Sequence, residues 1–153
     1  MTRWPRWLAI HGAALLLAPS AQAVLGAAQD TVQADQLRFQ GRHHQHSQWP
    51  MTVHDISLPD GSGIRQFVNP AGQVFAVSWH TRLKPDLAAL LGAHYPGPDA
   101  LAGTPQGIAN ARQRRSMRRS DLVLHQGGRV GAFAGLAYVP ALVPQGVDAD
   151  ALR

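Results

Sequence analysis

The sequence predicts an α+β domain in which a single antiparallel sheet packs against one short helix. Two strand-rich regions, residues 51–79 and 122–138, support this prediction, and each contains Gly-rich turns. A single leucine stripe at helical spacing lies between them. We therefore expect a three-strand β-meander and a C-terminal β-hairpin in one sheet, with a signal helix at the N-terminus.

The three strands of the predicted meander are residues 51–58, 64–68 and 74–79. Turns at 59–63 and 69–72 separate them, because proline fixes φ and glycine supplies a positive φ. The third strand carries apolar or small residues on both faces. Such a strand is typical of the centre of a sheet, so we expect it to be central. One of its faces should carry Phe75, Val77 and Trp79.

A short helix is predicted after the meander. Pro85 is typical of the first turn of a helix, and Asp86 is favourably placed near the positive N-terminus. Either Gly92 or the Pro-Gly-Pro run at 96–98 ends the helix. The stripe that packs on the sheet consists of Leu87, Leu90 and Leu91.

The C-terminal hairpin is predicted from strands at 122–125 and 129–138, with the turn in the Gln-Gly-Gly run at 126–128. Gly131 and Gly135 then fall inside the second strand, where glycine usually marks a bulge or a close approach of the backbone. Residues 139–143 form a final apolar turn between two prolines.

The first 23 residues have the pattern of a secretory signal peptide. The n-region is positive, residues 7–18 are apolar, and residues 21–23 read Ala-Gln-Ala. The apolar region is shorter than the ~20 residues of a membrane-spanning helix, so we expect cleavage after Ala23 and no transmembrane span thereafter. Retention as an uncleaved anchor is the alternative, because residues 7–29 carry no charge. We expect an exported protein, either periplasmic or secreted.

The composition excludes several chemistries. The 153 residues contain no cysteine, and all nine acidic residues are aspartates. Disulfides, cysteine nucleophiles, cysteine-ligated zinc and glutamate catalysis are therefore impossible. The formal charge of +5 falls to +3 without residues 1–23, and five arginines at 112–119 account for this excess. The remainder is a near-neutral domain, long enough for one hydrophobic core.

We divide the rest of the chain into a weakly structured segment (24–50) and an α+β domain (51–152) with a flexible Arg-rich connection at 96–120. The first segment should contain a weak helix at 30–37 and a loop at 41–50. The loop carries a candidate site for zinc, copper or nickel. Because the candidate ligands lie on one loop with no nearby acidic residue before Asp55, an exposed polar loop is the favoured interpretation, and we expect no cofactor. The candidate ligands are His43, His44 and His46.

The Arg tract at 112–119 is the strongest electrostatic feature of the sequence. Its guanidinium groups could bind phosphates or other polyanions bidentately, such as lipid headgroups, acidic polysaccharide or extracellular nucleic acid. No aromatic residue interleaves with the arginines, so stacking on single-stranded nucleic acid is unsupported. The alternative is a solvated linker. The candidate residues are Arg112, Arg114, Arg115, Arg118 and Arg119.

Enzymatic activity is not expected, and no residue is assigned a catalytic role. The sequence lacks a G-x-S-x-G motif, and an enzyme would require His80, His125 and an aspartate to converge in one cleft. Trp49 lies beside a polar loop and is expected to be exposed. Core packing is expected for aromatic residues on strands, namely Phe75, Trp79 and Phe133.

Two motifs are specific: G-x-V-F-A-V-x-W at 72–79 and A-F-A-G-x-A-Y-x-P-A-L-x-P at 132–144. Together with shorter stretches over residues 24–152, they resemble the bacterial family of domains of unknown function numbered 2844. The resemblance implies an exported protein of uncharacterised activity, mostly from proteobacteria, without assigned catalytic or cofactor residues. The chain differs from the family pattern at 65–67, where Arg-Gln-Phe replaces Arg-Glu-Tyr, and at 128–131, where Gly-Arg-Val-Gly replaces Gly-His-x-Arg.

From these observations we expect a non-enzymatic binding or structural module of the bacterial envelope. The alternative is an accessory protein that binds polyanions or the envelope surface through the Arg tract. Its partner would be an envelope polyanion or a protein that docks on the sheet. Salt-sensitive binding would favour the polyanion.

Overall fold

The computed structural model describes residues 25–29, 32, 40–102 and 115–152. Three predicted features lie outside the described residues: the signal peptide, the weak helix at 30–37 apart from Val32, and the first two arginines of the tract, Arg112 and Arg114.

The described residues form one antiparallel sheet of seven strands and two short α-helices, which confirms the predicted α+β class. The strands follow the spatial order β1-β2-β3-β4-β7-β6-β5, so β4 is central, as predicted. The strands are β1 (Arg42–Gln48), β2 (Met51–Ser57), β3 (Gly63–Val68), β4 (Val74–Thr81), β5 (Arg115–Arg118), β6 (Val123–Arg129) and β7 (Ala132–Tyr138). The helices are α1 (Leu87–Leu91) and α2 (Pro98–Ala102), with 3₁₀ turns at Gly92–His94, Pro140–Leu142 and Ala149–Ala151.

The prediction of five strands is wrong, because two further strands, β1 and β5, form the two edges of the sheet. β1 occupies the residues predicted as a polar loop, and β5 lies within the predicted connection at 96–120, as does α2. An edge strand pairs on one side only, and its side chains here remain largely in solvent. Neither segment therefore carries the alternating apolar pattern from which strands are predicted.

The C-terminal hairpin is shifted relative to the prediction. Gly127 and Gly128 continue β6, and the turn is the two-residue connection Val130–Gly131. Gly131 has φ 87°, a left-handed conformation that suits glycine in a tight hairpin turn. Gly135 is inside β7, as predicted, but Gly131 is not.

Helix α1 follows β4 and begins at Leu87, two residues after Pro85, which was predicted to lie in its first turn. The carboxylate of Asp86 caps it by accepting a hydrogen bond from the Ala89 N–H at 3.0 Å, so Pro85 precedes the cap. Gly92 ends the helix with φ 49°.

Hydrophobic clusters cover both faces of the sheet. We name the side covered by α1 the cleft face and the opposite side the C-terminal face, because residues 139–152 pack there. The cleft-face cluster includes Leu25, Ile64, Val68, Val77, Trp79, Leu87, Leu90, Leu91 and Leu124. The C-terminal-face cluster includes Met51, Val53, Phe67, Phe75, Leu136, Tyr138 and Ala149, with Val143, Val147 and Leu152 packed against it.

One predicted face assignment is wrong. Val77 and Trp79 lie on the cleft face, but Phe75 packs on the C-terminal face against Phe67. The pairing of β3 with β4 skips Phe75, since Phe67 pairs with Ala76 and the next residue pairs with Val74. This bulge reverses the alternation of the side chains.

Candidate ligand-binding cleft

A cleft of about 500 Å³ opens on the cleft face between the two helices and strands β6 and β7. Its apolar walls come from separate parts of the chain: Trp79 at the end of β4, Tyr95 and Leu101 around α2, and Phe133 on β7. Small-molecule sites are typically concave and apolar, with a few polar groups, and this volume lies in their usual range.

Glycine shapes this cleft: Gly127 and Gly128 line it, and Gly135 lies against the Trp79 ring that borders it. A Cβ atom on Gly135 would overlap the indole of Trp79, the residue with which it pairs across β4 and β7. A Cβ atom on Gly128 would likewise overlap the backbone of Ala132 and Phe133. The close approach expected at Gly135 is therefore confirmed, with an aromatic ring lying against the glycine. At Gly127 and Gly128 the cleft is lined by backbone, because glycine has no side chain.

Two cations and one carboxylate line the same cleft: Lys84, Arg115 and Asp86. The Arg115 guanidinium donates a hydrogen bond to the Leu101 carbonyl at 2.9 Å, which links β5 to α2 and positions the cation at the cleft. Asp86 serves as the cap of α1. The cleft therefore combines aromatic surface with an excess of positive charge, a combination that suits a ring-bearing anion.

The Arg tract does not form one continuous polyanion surface in the part that the structure describes. Arg115 lines the cleft, whereas Arg118 forms an ion pair with Asp150 at 3.2 Å. Arg119 forms an ion pair with Asp121, also at 3.2 Å. These three arginines thus have different surroundings, and Arg115 and Arg118 lie on opposite faces of the sheet because side chains alternate along β5.

The three candidate metal ligands on β1 are divided between the two faces of the sheet. His43 stacks on buried His54 of β2, with 2.9 Å between Nε2 of His43 and Nδ1 of His54. His44 and His46 stack on each other, and His46 lies 3.5 Å from the carboxylate of Asp55. Within the described residues, no group of three histidines or aspartates could hold a metal ion.

His54 is 2% exposed, and its Nε2 atom has no hydrogen-bond partner among the described residues. Burial lowers the pKa of His54, and the neighbouring His43 lowers it further, although Asp55 acts in the opposite direction. The imidazole is therefore neutral at pH 7. His54 lies on β2 beside the edge strand β1 and stacks on His43, so it contributes to the packing of the sheet edge.

A polar network on the C-terminal face was not predicted from the sequence. The Tyr138 hydroxyl donates to Asp150 at 2.9 Å, and Asp150 also accepts from Arg118 and lies 3.2 Å from Nε2 of His125. We name Tyr138, Asp150, Arg118 and His125 the Asp150 clasp. These residues are 12 to 32 positions apart from Asp150, so no local motif indicates the network.

The clasp holds Asp150 in its ionised form. The hydrogen bond from Tyr138 lowers the pKa of Asp150, with further contributions from Arg118 and His125. Burial raises the pKa of Tyr138, and the hydrogen bond to Asp150 raises it further. The clasp thereby ties the 3₁₀ turn at Ala149–Ala151 to the sheet and closes the C-terminal face.

Ser116 extends the clasp, since its hydroxyl lies 2.9 Å from Nδ1 of His125. This Ser-His-Asp series is exposed, and its aspartate is also bound by Tyr138 and Arg118. A structural interpretation accounts for all of these contacts. The enzyme alternative paired His125 with His80, but His80 lies on β4, with β7 between it and β6.

The expected burial of the aromatic residues is mostly confirmed. Trp49 is 91% exposed at the turn between β1 and β2, while Phe75 and Trp79 are buried. Phe133 was expected in the core, but it is only half-buried because it lines the cleft. No helix in the described part of the chain is both long and apolar enough to span a membrane.

The family described as "Protein of unknown function (DUF2844)" matches residues 21–152 of the chain. This match covers the described sheet, the cleft and the clasp. No curated protein and no solved structure matches the chain.

Proposed function

We propose that this chain, which belongs to the DUF2844 family, is a non-enzymatic binding module of the bacterial envelope that takes an acidic saccharide in its cleft. The observation that carries the proposal is the cleft itself, which is lined by aromatic side chains, by Gly127 and Gly128, and by two cations. The predicted signal peptide supports a place in the envelope, where acidic polysaccharides are available.

The ligand class follows from the arrangement of the groups. Sugar rings present flat C–H faces that pack on exposed aromatic rings, and Tyr95 and Phe133 are both only half-buried. Arg115 and Lys84 can bind the carboxylate of a uronic acid, Arg115 through two parallel hydrogen bonds. A neutral sugar would leave these cations without a partner. A bare phosphate would leave the apolar walls uncovered.

This proposal narrows the alternative in which the whole Arg tract binds polyanions. Among the described arginines of the tract, Arg118 and Arg119 already form ion pairs, and Arg115 is the one that lines a cleft. A polyanion would therefore engage the cleft end of β5 first. Its binding should depend on Arg115 far more than on Arg118.

Calorimetric titration with trigalacturonate, and with its neutral methyl ester as a matched probe, tests the proposal. We expect Arg115→Gln and Lys84→Gln each to weaken trigalacturonate binding about tenfold or more, because each removes a charge-assisted hydrogen bond. Arg42→Gln, which changes an exposed arginine on β1, is the charge control.

A pair of tryptophan variants tests the location of the site without changing a charge. Ala88 is exposed and lines the cleft, so Ala88→Trp should fill the cleft and abolish binding while the fold is retained. Ala71→Trp places the same side chain at the exposed turn between β3 and β4 and should bind normally. Equal binding of the acid and its ester, or normal binding by Ala88→Trp, would refute the proposed function.

A further inference from the structure

Three segments meet at one end of the sheet and form a single surface. The backbone N–H of Gly131, in the β6–β7 turn, donates to the Arg82 carbonyl at 3.0 Å. The backbone N–H of Arg82 in turn donates to Ser62 Oγ at 3.1 Å, which links the β2–β3 turn. We name the exposed residues of this surface the sheet tip: Arg82, Leu83, Lys84, Arg129 and Val130.

Two large aliphatic side chains project from the sheet tip. Leu83 is 75% exposed and Val130 is 89% exposed, and the bond between Gly131 and Arg82 brings their segments side by side. Together with Trp49, they are the large hydrophobic residues that the described structure leaves exposed. Adjacent aliphatic side chains on neighbouring turns are stabilised when an apolar phase covers them.

Positive charge surrounds these two side chains. Arg82 and Lys84 flank Leu83, and Arg129 precedes Val130. Asp60 lies beside Arg82 and accepts hydrogen bonds from Ser62, and these bonds and Arg82 lower the pKa of Asp60. Asp86 follows Lys84 by two residues. Against both carboxylates, the three cations of the tip keep an excess of one positive charge around an apolar centre. Aliphatic residues that enter a bilayer, ringed by cations at the headgroup level, have this arrangement.

We propose that the sheet tip docks on an anionic phospholipid bilayer, with Leu83 and Val130 in the headgroup–acyl boundary and Arg82, Lys84 and Arg129 against the lipid phosphates. This surface shares Lys84 with the cleft, but its other four residues do not line the cleft, so the proposal stands without the saccharide. The opposite end of the sheet carries Trp49, which is equally exposed but has no charged residue between 47 and 52. It serves as an internal control for exposed apolar surface without cations.

Sedimentation with large vesicles of phosphatidylcholine, with and without phosphatidylglycerol, measures the docking. The full chain is compared with its variants, so any contribution of residues 1–23 is common to all. We expect Arg82→Gln with Arg129→Gln to lower partitioning into anionic vesicles by about 25-fold, at about fivefold per charge. Leu83→Ser with Val130→Ser should lower it by about tenfold or more. Trp49→Ser should leave it unchanged.

Site-specific fluorescence adds a readout of insertion. The chain has no cysteine, so Val130→Cys and Trp49→Cys each accept a single environment-sensitive label. Anionic vesicles should shift the emission of the label at 130 to the blue and leave the label at 49 unchanged. Loss of binding in the arginine variant alone, with the aliphatic variant unaffected, would indicate a soluble-polyanion surface and overturn the proposal. Equal effects at positions 49 and 130 would also overturn it.

Discussion

The two faces of the sheet are covered in different ways. On the C-terminal face, residues 139–152 pack directly on the strands, and the Asp150 clasp ties their last 3₁₀ turn to β5, β6 and β7. On the cleft face, α1 is only five residues long and covers the centre of the sheet. The part of this face over β6 and β7 remains open as the cleft.

This difference shows how one sheet can combine a closed side with an accessible one. The closed side buries Phe67 and Phe75 and satisfies Asp150 with three partners. The open side places glycine where a side chain would be expected, and aromatic rings border the space that results. A binding role is therefore best sought on the cleft face, and a stabilising role on the C-terminal face.

The largest expected effect comes from a side chain at Gly135, where the Trp79 indole lies against the glycine. In Gly135→Ala the new methyl group would overlap the Trp79 indole and crowd the carbonyl of His125, so we expect a loss of about 3 kcal/mol in the free energy of unfolding. Urea denaturation measures it. A double-mutant cycle with Trp79→Leu should show coupling of at least about 1 kcal/mol. Additive losses would mean that the glycine and the indole do not constrain each other.

A smaller effect is expected when a hydrogen bond of the Asp150 clasp is weakened or removed. Asp150→Asn and Tyr138→Phe should each lower the free energy of unfolding at pH 7 by about 1 kcal/mol, because the first removes the charge of the acceptor and the second removes the hydroxyl donor. Asp99→Asn, at an exposed position of α2, is the control.

The pH dependence of the clasp has a definite sign. The folded-state pKa of Asp150 is lowered, so its stabilisation is present above the unfolded pKa of about 3.9 and is lost as the pH falls through the folded value. The difference in the free energy of unfolding between the original chain and Asp150→Asn should therefore disappear in acid. A difference that persists at low pH would show that the ionised carboxylate is not what closes this face.

The last prediction concerns the edge of the sheet at β1. The pKa of buried His54 is lowered, so the unfolded chain takes up a proton first as the pH falls below about 6.5. The free energy of unfolding should then fall by up to about 1.4 kcal/mol per pH unit until His54 itself is protonated. His54→Gln should remove this slope and His44→Gln, an exposed neighbour on β1, should keep it. The reverse result would assign the slope to the exposed histidines.

The central strands were predictable from local patterns. β2, β3 and β4 alternate or are apolar on both faces, and turn residues separate them. Helix α1 is indicated by the cap at Asp86 and the leucine stripe. The edge strands were not predictable in the same way. β1 and β5 are polar, and they form because a neighbouring strand offers free backbone groups.

The candidate site was predictable only in its parts. Arg115, Trp79 and Phe133 stand out in the sequence as a polyanion-binding residue and two strand aromatics. These three residues border one cleft because β4 pairs with β7 and β6 pairs with β5. The clasp could not be predicted from the sequence either, because the partners of Asp150 lie on three different strands.

Residue types and local periodicity thus establish the α+β class, the central position of β4, the cap of α1 and the chemistries that a cysteine- and glutamate-free chain excludes. These properties depend on neighbours within a few positions along the chain. The bulge at Phe75, the division of the histidines between two faces, and the cleft depend on contacts between distant segments. Register and burial arise only when the strands pair, and these place the side chains that could bind a ligand.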